Sequence, residues 1–193
     1  MRIIAGSERN RRIAAPEGMN TRPTLDRVRE NLFNILQTRI TSAVVLDLFA
    51  GSGALAFEAL SRGAEYAVLC DSDRKAHHIE RMNAETRGFS DRTEIFCCDW
   101  TTAVRNMKSR DVRFDLVFLD PPYRMTDLRK VFDGIEPLLE KDGLVIVEHE
   151  AKVPFLYSSR FEITDERRWG FCGMSFLRKT EDQTPAAEEE KVR

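Results

Sequence analysis

No apolar run in this chain reaches the length needed to cross a membrane. The opening Met1-Arg-Ile-Ile-Ala-Gly6 is too short and too quickly charged for a signal peptide. Four cysteines (Cys70, Cys97, Cys98 and Cys172) lack any C-x-x-C spacing. That excludes the usual zinc framework and is expected of reduced, buried thiols in a cytoplasmic protein. Histidine is scarce: His77 and His78 are adjacent in a helical segment, and His149 lies between Glu148 and Glu150. None of these forms a ligand cluster, so surface histidines and no metal are expected. There is no internal repeat, and a net charge of −2 says little about nucleic acid.

The distribution of charge says more. Residues 1–39 hold eight arginines against four acids and no lysine at all. Such an arm suits phosphate, which the arginine fork binds better than lysine does. Its candidate phosphate contacts are Arg2, Arg9, Arg11, Arg12 and Arg22. At the other end, residues 180–193 combine Pro185, alanines and five acids, the composition of a disordered tail. The remaining length fits one domain. The expected organisation is a basic arm and helix over 1–40, a core domain over 41–179, an acidic tail over 180–193, and a monomer.

Arg2–Ala5 and Arg11–Ala14 can pair as a short hairpin across residues 6–10. Thr24 is a reasonable N-cap for a helix whose apolar face is Leu25, Val28, Leu32, Phe33, Ile35 and Leu36. From Val44 the chain alternates short apolar runs (44–49, 66–71, 93–98, 114–119, 143–148) with amphipathic stretches (53–62, 74–87, 100–109, 127–140). This pattern predicts an α/β fold with a mostly parallel sheet and helices on both faces. Beyond Glu150 two alternating segments flank Trp169-Gly170, which predicts a closing antiparallel hairpin.

The run Phe114-Asp-Leu-Val-Phe-Leu119 leads straight into Asp120-Pro-Pro-Tyr123. Two prolines forbid a helix and further ladder pairing, so the chain must leave the sheet in a stiff turn. A carboxylate, a fixed backbone and an aromatic ring then stand at the carboxyl end of a strand, where open α/β sheets bind ligands. The acid and a carbonyl can accept from an amino group, and Tyr123 can stack on a flat ring. The candidate catalytic residues are therefore Asp120, Pro121, Pro122 and Tyr123. A plain strand-ending turn would look the same in sequence.

Val44 to Gly53 forms a second strand and turn, in which Gly51 and Gly53 permit close approach of a ligand to bare backbone. Asp47 lies just before the turn. It would repel a pyrophosphate but suits a ligand carrying an ammonium or sulfonium group. Asp71, about twenty residues past the glycines, can bridge ribose hydroxyls; Asp73 competes for that role. Asp99 can accept from an adenine amino group, with Trp100 beside it as a ring neighbour. Each acid alone reads equally as a helix N-cap. At successive strand ends, together they point to an adenosine site.

Asp47-Leu-Phe-Ala-Gly-Ser-Gly53 together with Asp120-Pro-Pro-Tyr123 resembles S-adenosylmethionine-dependent methyltransferases acting on exocyclic amines. Arg2-Ile-Ile-Ala-Gly6, Thr21-Arg-Pro-Thr24, Arg27-Val-Arg-Glu-Asn-Leu-Phe33 and Glu58-Ala-Leu-Ser-Arg-Gly63 narrow the likeness to the RsmD family, bacterial methyltransferases of guanine N2 in 16S ribosomal RNA. The resemblance covers roughly residues 1–179. It implies a Rossmann-like seven-stranded, mostly parallel sheet with an antiparallel C-terminal hairpin, the class I methyltransferase fold. It implies further that Asp47, Phe49, Gly51 and Gly53 line the methionine part of S-adenosylmethionine, that Asp71 holds the ribose and Asp99 the adenine. Thr24 and its neighbours would close on the cofactor, and ribosomal RNA or the small subunit would be the partner. The family usually has Glu where Asp71 stands. The rival readings are a DNA or RNA adenine-N6 or cytosine-N4 methyltransferase, a non-catalytic RNA-binding assembly factor on the same scaffold, and a nucleotide-dependent oxidoreductase.

Overall fold

The computed structural model describes residues 1–15 and 23–180, with backbone alone for 23–25. Arg22 and the acidic tail beyond residue 180 lie outside the described residues. Seven strands form one sheet: β1 (Val44–Asp47), β2 (Tyr66–Asp71), β3 (Thr93–Cys97), β4 (Phe114–Leu119), β5 (Leu139–Glu150), β6 (Phe161–Trp169) and β7 (Cys172–Lys179). Their spatial order is β3-β2-β1-β4-β5-β7-β6. The first five strands are parallel, and β7 runs antiparallel to both β5 and β6. The strand order reverses between β1 and β4, which is where such sheets open a ligand crevice at their carboxyl edge.

Alternation along each strand sends neighbouring side chains to opposite faces. Val45, Phe118 and Ile146 face helices α1 (Pro23–Ile35), α3 (Ala54–Ser61) and α4 (Arg74–Thr86), packing with Leu32, Phe33 and Phe57. Leu46, Val117 and Val145 face α5 (Trp100–Ser109) and α6 (Arg129–Ile135), packing with Val104, Met107 and Phe132. Each large side chain fully buried in this way contributes on the order of 2 kcal/mol. A short helix α2 (Gln37–Ile40) links α1 to β1. Both α4 and α5 start on an aspartate cap: Asp73 accepts from the Lys75 amide and Asp99 from the Thr101 amide, each at 2.8 Å.

Three sequence expectations need correction. The helix predicted to run to residue 140 stops at Ile135, and a single tight turn over Glu136–Leu138, which holds Pro137, leads into the sheet. Strand β5 consequently begins at Leu139 instead of 143, and its pairing to β4 slips between Phe114 and Leu116. Gly143 permits that irregularity, since a Cβ there would come within 2.8 Å of the Leu139 side chain and 3.1 Å of the Phe114 carbonyl. Helix α1 starts at Pro23, so Thr24 lies inside its first turn instead of capping it. Proline is well suited to a first helical position. Of the apolar face assigned to α1, Ile35 is 40% exposed, while Val28, Leu32, Phe33 and Leu36 are buried. Two smaller differences concern the thiols and histidines. All four cysteines are free but Cys97 is exposed, and His149 is half-buried against Phe155 and Gly173.

The arm folds back on itself, with one bridge between Arg2 and Arg12 and the Ile3 amide donating to the Arg11 carbonyl at 2.9 Å. It lies against α3 and α4. Gly6, at φ +86°, touches α3 so closely that a Cβ would stand 1.8 Å from the Ser61 carbonyl oxygen.

Candidate active site

Register places Asp71, Asp120 and Glu148 at one level of the sheet, with Asp47 two residues below it. Asp47 pairs with Leu69 on one side and Phe118 on the other, and Phe118 pairs with Ile146. Two residues further on, Asp120 and Glu148 therefore stand side by side at the ends of β4 and β5, about one strand spacing, ~5 Å, apart. Asp71 closes β2 beyond Asp47. Strand and turn geometry thus bring together four carboxyl groups along the carboxyl edge, over the crevice between β1 and β4.

Asp47 is 1% exposed. Its Oδ2 accepts from the Ala56 amide at 3.3 Å, and its Oδ1 has no partner. Burial pushes its pKa up to about 7, the Ala56 bond opposes this, and Asp71 adds to it. Glu80, on α4, is fully buried with neither carboxylate oxygen bonded. Burial, then Asp47 and Asp71, raise its pKa to about 9. Sequence reading passed over Glu80. The available signal was its place between Ala76 and Ala84, four residues either way on the buried face of α4.

The glycine turn is built for close approach. Gly53 adopts φ +75°, and a Cβ there would lie 2.4 Å from the Phe57 ring. Gly51, at φ +55°, donates its amide to Asp71 Oδ2 at 2.9 Å. The other Asp71 oxygen accepts from the Asp73 amide at 2.8 Å, so the carboxylate is fixed across the mouth of the turn while Asp73 itself caps α4. Asp99 is exposed and accepts from both the amide and the hydroxyl of Thr101. Trp100 sits apart from this row: its ring packs against α6, 3.2 Å from where a Gly134 Cβ would stand. Phe49 is half-buried beside the same α5–α6 cluster. The side chain of Thr24 lies outside the described residues.

In the Asp-Pro-Pro-Tyr turn, Pro121 is buried and Tyr123 is 66% exposed. The Pro122 carbonyl accepts from the Met125 amide at 2.7 Å. Among the described residues the Pro121 carbonyl and the Asp120 carboxylate have no donor, so both acceptors are available. The Asp120 carboxyl is pushed well above the ordinary carboxylate range by the surrounding protein, then by Glu148 and Asp47. Its surface remains open to solvent, which screens part of that effect. Glu148 is half-buried and also raised, by burial, against a hydrogen bond from Cys172. Pro121, Pro122, Tyr123, Glu148 and His149 line a common shallow cleft.

The arginines divide. Arg2 pairs with Asp26 at 3.2 Å, in the first turns of α1, and is more than half exposed. Arg12 is exposed beside it across the bridge. Arg9 and Arg11 belong to the tip of the arm, which bonds to Ser61 at the far end of α3. That is the sheet edge opposite Asp120, so the four described arginines do not form one patch with the catalytic turn. Among the described residues no group of histidine, cysteine or acid side chains could hold a metal ion, and no helix is long and apolar enough to cross a membrane.

A seven-stranded sheet in this order, with a glycine turn after β1 and an acid-proline-proline-tyrosine turn after β4, defines a class I methyltransferase. The solved structure of yhhF from Escherichia coli superposes with a TM-score of 0.78 at 30% identity, covering 94% of this chain and 99% of that one. The chain belongs to the family described as Conserved hypothetical protein 95, whose model matches residues 1–178. YlbH of Bacillus subtilis (strain 168) is 34% identical over 182 residues, 93% of this chain and 99% of its own. Ribosomal RNA small subunit methyltransferase D of Escherichia coli (strain K12) is 36% identical over 154 residues, 79% of this chain and 76% of its own.

Proposed function

We propose that this chain is an S-adenosylmethionine-dependent methyltransferase that modifies the exocyclic N2 of a guanine in small-subunit ribosomal RNA. The observation that carries the reading is the pair of unused acceptors, the Asp120 carboxylate and the Pro121 carbonyl, beside a buried orphan carboxylate at Asp47. An orphaned buried oxygen is costly unless a ligand satisfies it, and the ammonium of the cofactor's methionine part does so. Gly51 and Gly53 leave the room with Phe49 beside the methionine part, Asp71 is held where a ribose diol would reach it, and Asp99 stands on the adenine side. The cofactor supplies an electrophilic methyl group with a neutral thioether as leaving group.

The protein's part is to prepare the nucleophile. The guanine N2 lone pair is delocalised into the ring. Asp120 and the Pro121 carbonyl accept its two protons, which turns the nitrogen toward tetrahedral geometry and aims its lone pair. As the N–C bond forms, the nitrogen becomes cationic and passes one proton to Asp120, which returns it to solvent. Tyr123 stacks on the base, which must leave its own helix to reach the turn. Arg2 and Arg12, on the exposed side of the arm, meet phosphate. We assign the activity to a monomer working on ribosomal RNA in the cytoplasm.

Small subunits from cells lacking the protein, incubated with it and methyl-labelled S-adenosylmethionine, should incorporate label into N2-methylguanosine. Asp120→Ala should lower turnover at least ~100-fold while S-adenosylhomocysteine binds as before. Label appearing in N6-methyladenosine or N4-methylcytidine would replace the guanine reading, and unchanged turnover in Asp120→Ala would remove the role of the turn.

A further inference from the structure

We propose that Glu148 reads the Watson–Crick edge of the target base, accepting the N1–H of guanine next to the amine held by Asp120 and Pro121. The inference rests on the guanine reading above and adds a specificity-determining residue to it. Register fixes Glu148 beside Asp120, and Glu148 lines, with Pro121 and Tyr123, the cleft next to it. A base whose N2 sits between Asp120 and the Pro121 carbonyl presents its next ring position, N1, to the neighbouring strand. On guanine that position is a donor. On adenine, and on any purine lacking the 6-oxo group, it is a lone pair that would confront a carboxylate. A site whose buried acceptor would be left unpaired discriminates far more strongly than one relying on shape.

Two further features fit. Cys172 of β7 lies near Glu148 and opposes the rise that burial gives its pKa. The groups facing Glu148 are Asp120, Tyr123 and Cys172, with Glu150 further along its own strand. No cation pairs with it among the described residues. Two adjacent carboxyl groups without a cation repel one another, which the N1–H and N2–H donors of guanine relieve together. Adenine offers only its amine.

The test uses small subunits reconstituted with RNA in which the methylated guanine, once mapped, is replaced by 2-aminopurine. This analogue keeps the amine but carries a lone pair at N1. Wild-type protein should prefer guanine by at least ~100-fold. Glu148→Gln can offer either an amide N–H or a carbonyl oxygen, so it should shrink that preference at least tenfold. It should also move the acid limb of kcat/KM to lower pH, because removing the Glu148 charge lets Asp120 ionise earlier. An unchanged preference ratio with an unchanged acid limb overturns the assignment even if guanine N2 is the product. A wild-type product other than N2-methylguanine overturns both this inference and the reading beneath it.

Discussion

The buried carboxylate of Glu58 accepts the backbone amide of Ile4 at 2.7 Å and so ties the N-terminal arm to α3. The same side chain accepts from the Ala5 amide at 3.1 Å and from Arg62 Nε at 2.7 Å, and faces Arg29 Nε at 3.8 Å. Arg29 is itself buried, and its guanidinium also donates to the Arg2 carbonyl and to Asp26. Burial lowers the Arg29 pKa, and Glu58 and Asp26 oppose that. Removing Glu58 strands the part-buried Ile4 and Ala5 amides and the Arg62 guanidinium, and leaves Arg29 with Asp26 alone as counter-charge among the described residues. Glu58→Ala should therefore destabilise the protein by about 3–5 kcal/mol. Arg2→Ala, which breaks only an exposed pair with Asp26, should cost under ~1 kcal/mol. Urea midpoints at constant slope measure both, and equal effects would refute the network's importance.

Asp47 and Glu80 make stability depend on pH in an unusual direction. Their pKa values are raised on folding, to about 7 and about 9, so the folded chain holds protons that the unfolded chain has released. Their contribution is complete below the ordinary carboxylate range, near pH 4. It is lost as pH rises, through about 7 for Asp47 and about 9 for Glu80. The cofactor-free protein should thus lose stability between pH 5 and 9. Glu80→Gln should flatten the upper half of that decline and exceed wild type in stability at pH 9. Unfolding free energies from urea titrations across this range provide the comparison. A variant with the wild-type slope would show that Glu80 does not carry the proton.

The parts of this molecule legible in its sequence are those written in local pattern. Strand β4 and its Asp-Pro-Pro-Tyr turn, the glycine turn after β1 and helix α5 announce themselves through apolar runs, proline and glycine. What depends on distant register does not. The extension of β5 back to Leu139 requires Gly143 to bend against Phe114, a partner some thirty residues away. Glu148 follows the same apolar-strand-then-acid pattern as Asp47, Asp71 and Asp120, yet only the pairing of β4 with β5 sets it beside Asp120. The arginines of the arm read as one basic stretch. Folding the arm on itself sends Arg9 and Arg11 to the opposite sheet edge, because Gly6 and Ser61 dock the turn there. Trp100 follows Asp99 in sequence, but helical geometry turns its ring toward α6.

Asp120→Asn separates the carboxylate's charge from its capacity to accept a hydrogen bond. The raised pKa of Asp120 means that the deprotonated, active form is gained as pH rises, so wild-type kcat/KM should climb through a value well above the ordinary carboxylate range. Asparagine keeps one acceptor oxygen and cannot titrate. Its plateau activity should fall at least ~tenfold, since it loses both the charged acceptor and the group that takes up the amine proton, and its acid limb should flatten. A profile in Asp120→Asn that still climbs at the same pH would assign the ionisation to another group.

Tyr123 offers the last test, because its ring is 66% exposed in a turn made rigid by two prolines. An aromatic side chain held in that way has no packing reason to be there, since its removal uncovers little of the core. Stacking of a base on an aromatic ring is worth about 1–3 kcal/mol. Tyr123→Ala should therefore lower kcat/KM for the RNA substrate about 10- to 100-fold while leaving folding stability and S-adenosylhomocysteine affinity unchanged. Tyr123→Phe keeps the ring and loses only the hydroxyl, so it should stay within a few fold of wild type. Steady-state kinetics with varied small-subunit concentration, paired with calorimetric cofactor binding, distinguish the outcomes. If the phenylalanine variant fell as far as the alanine variant, the hydroxyl rather than the ring face would be the group that meets the base.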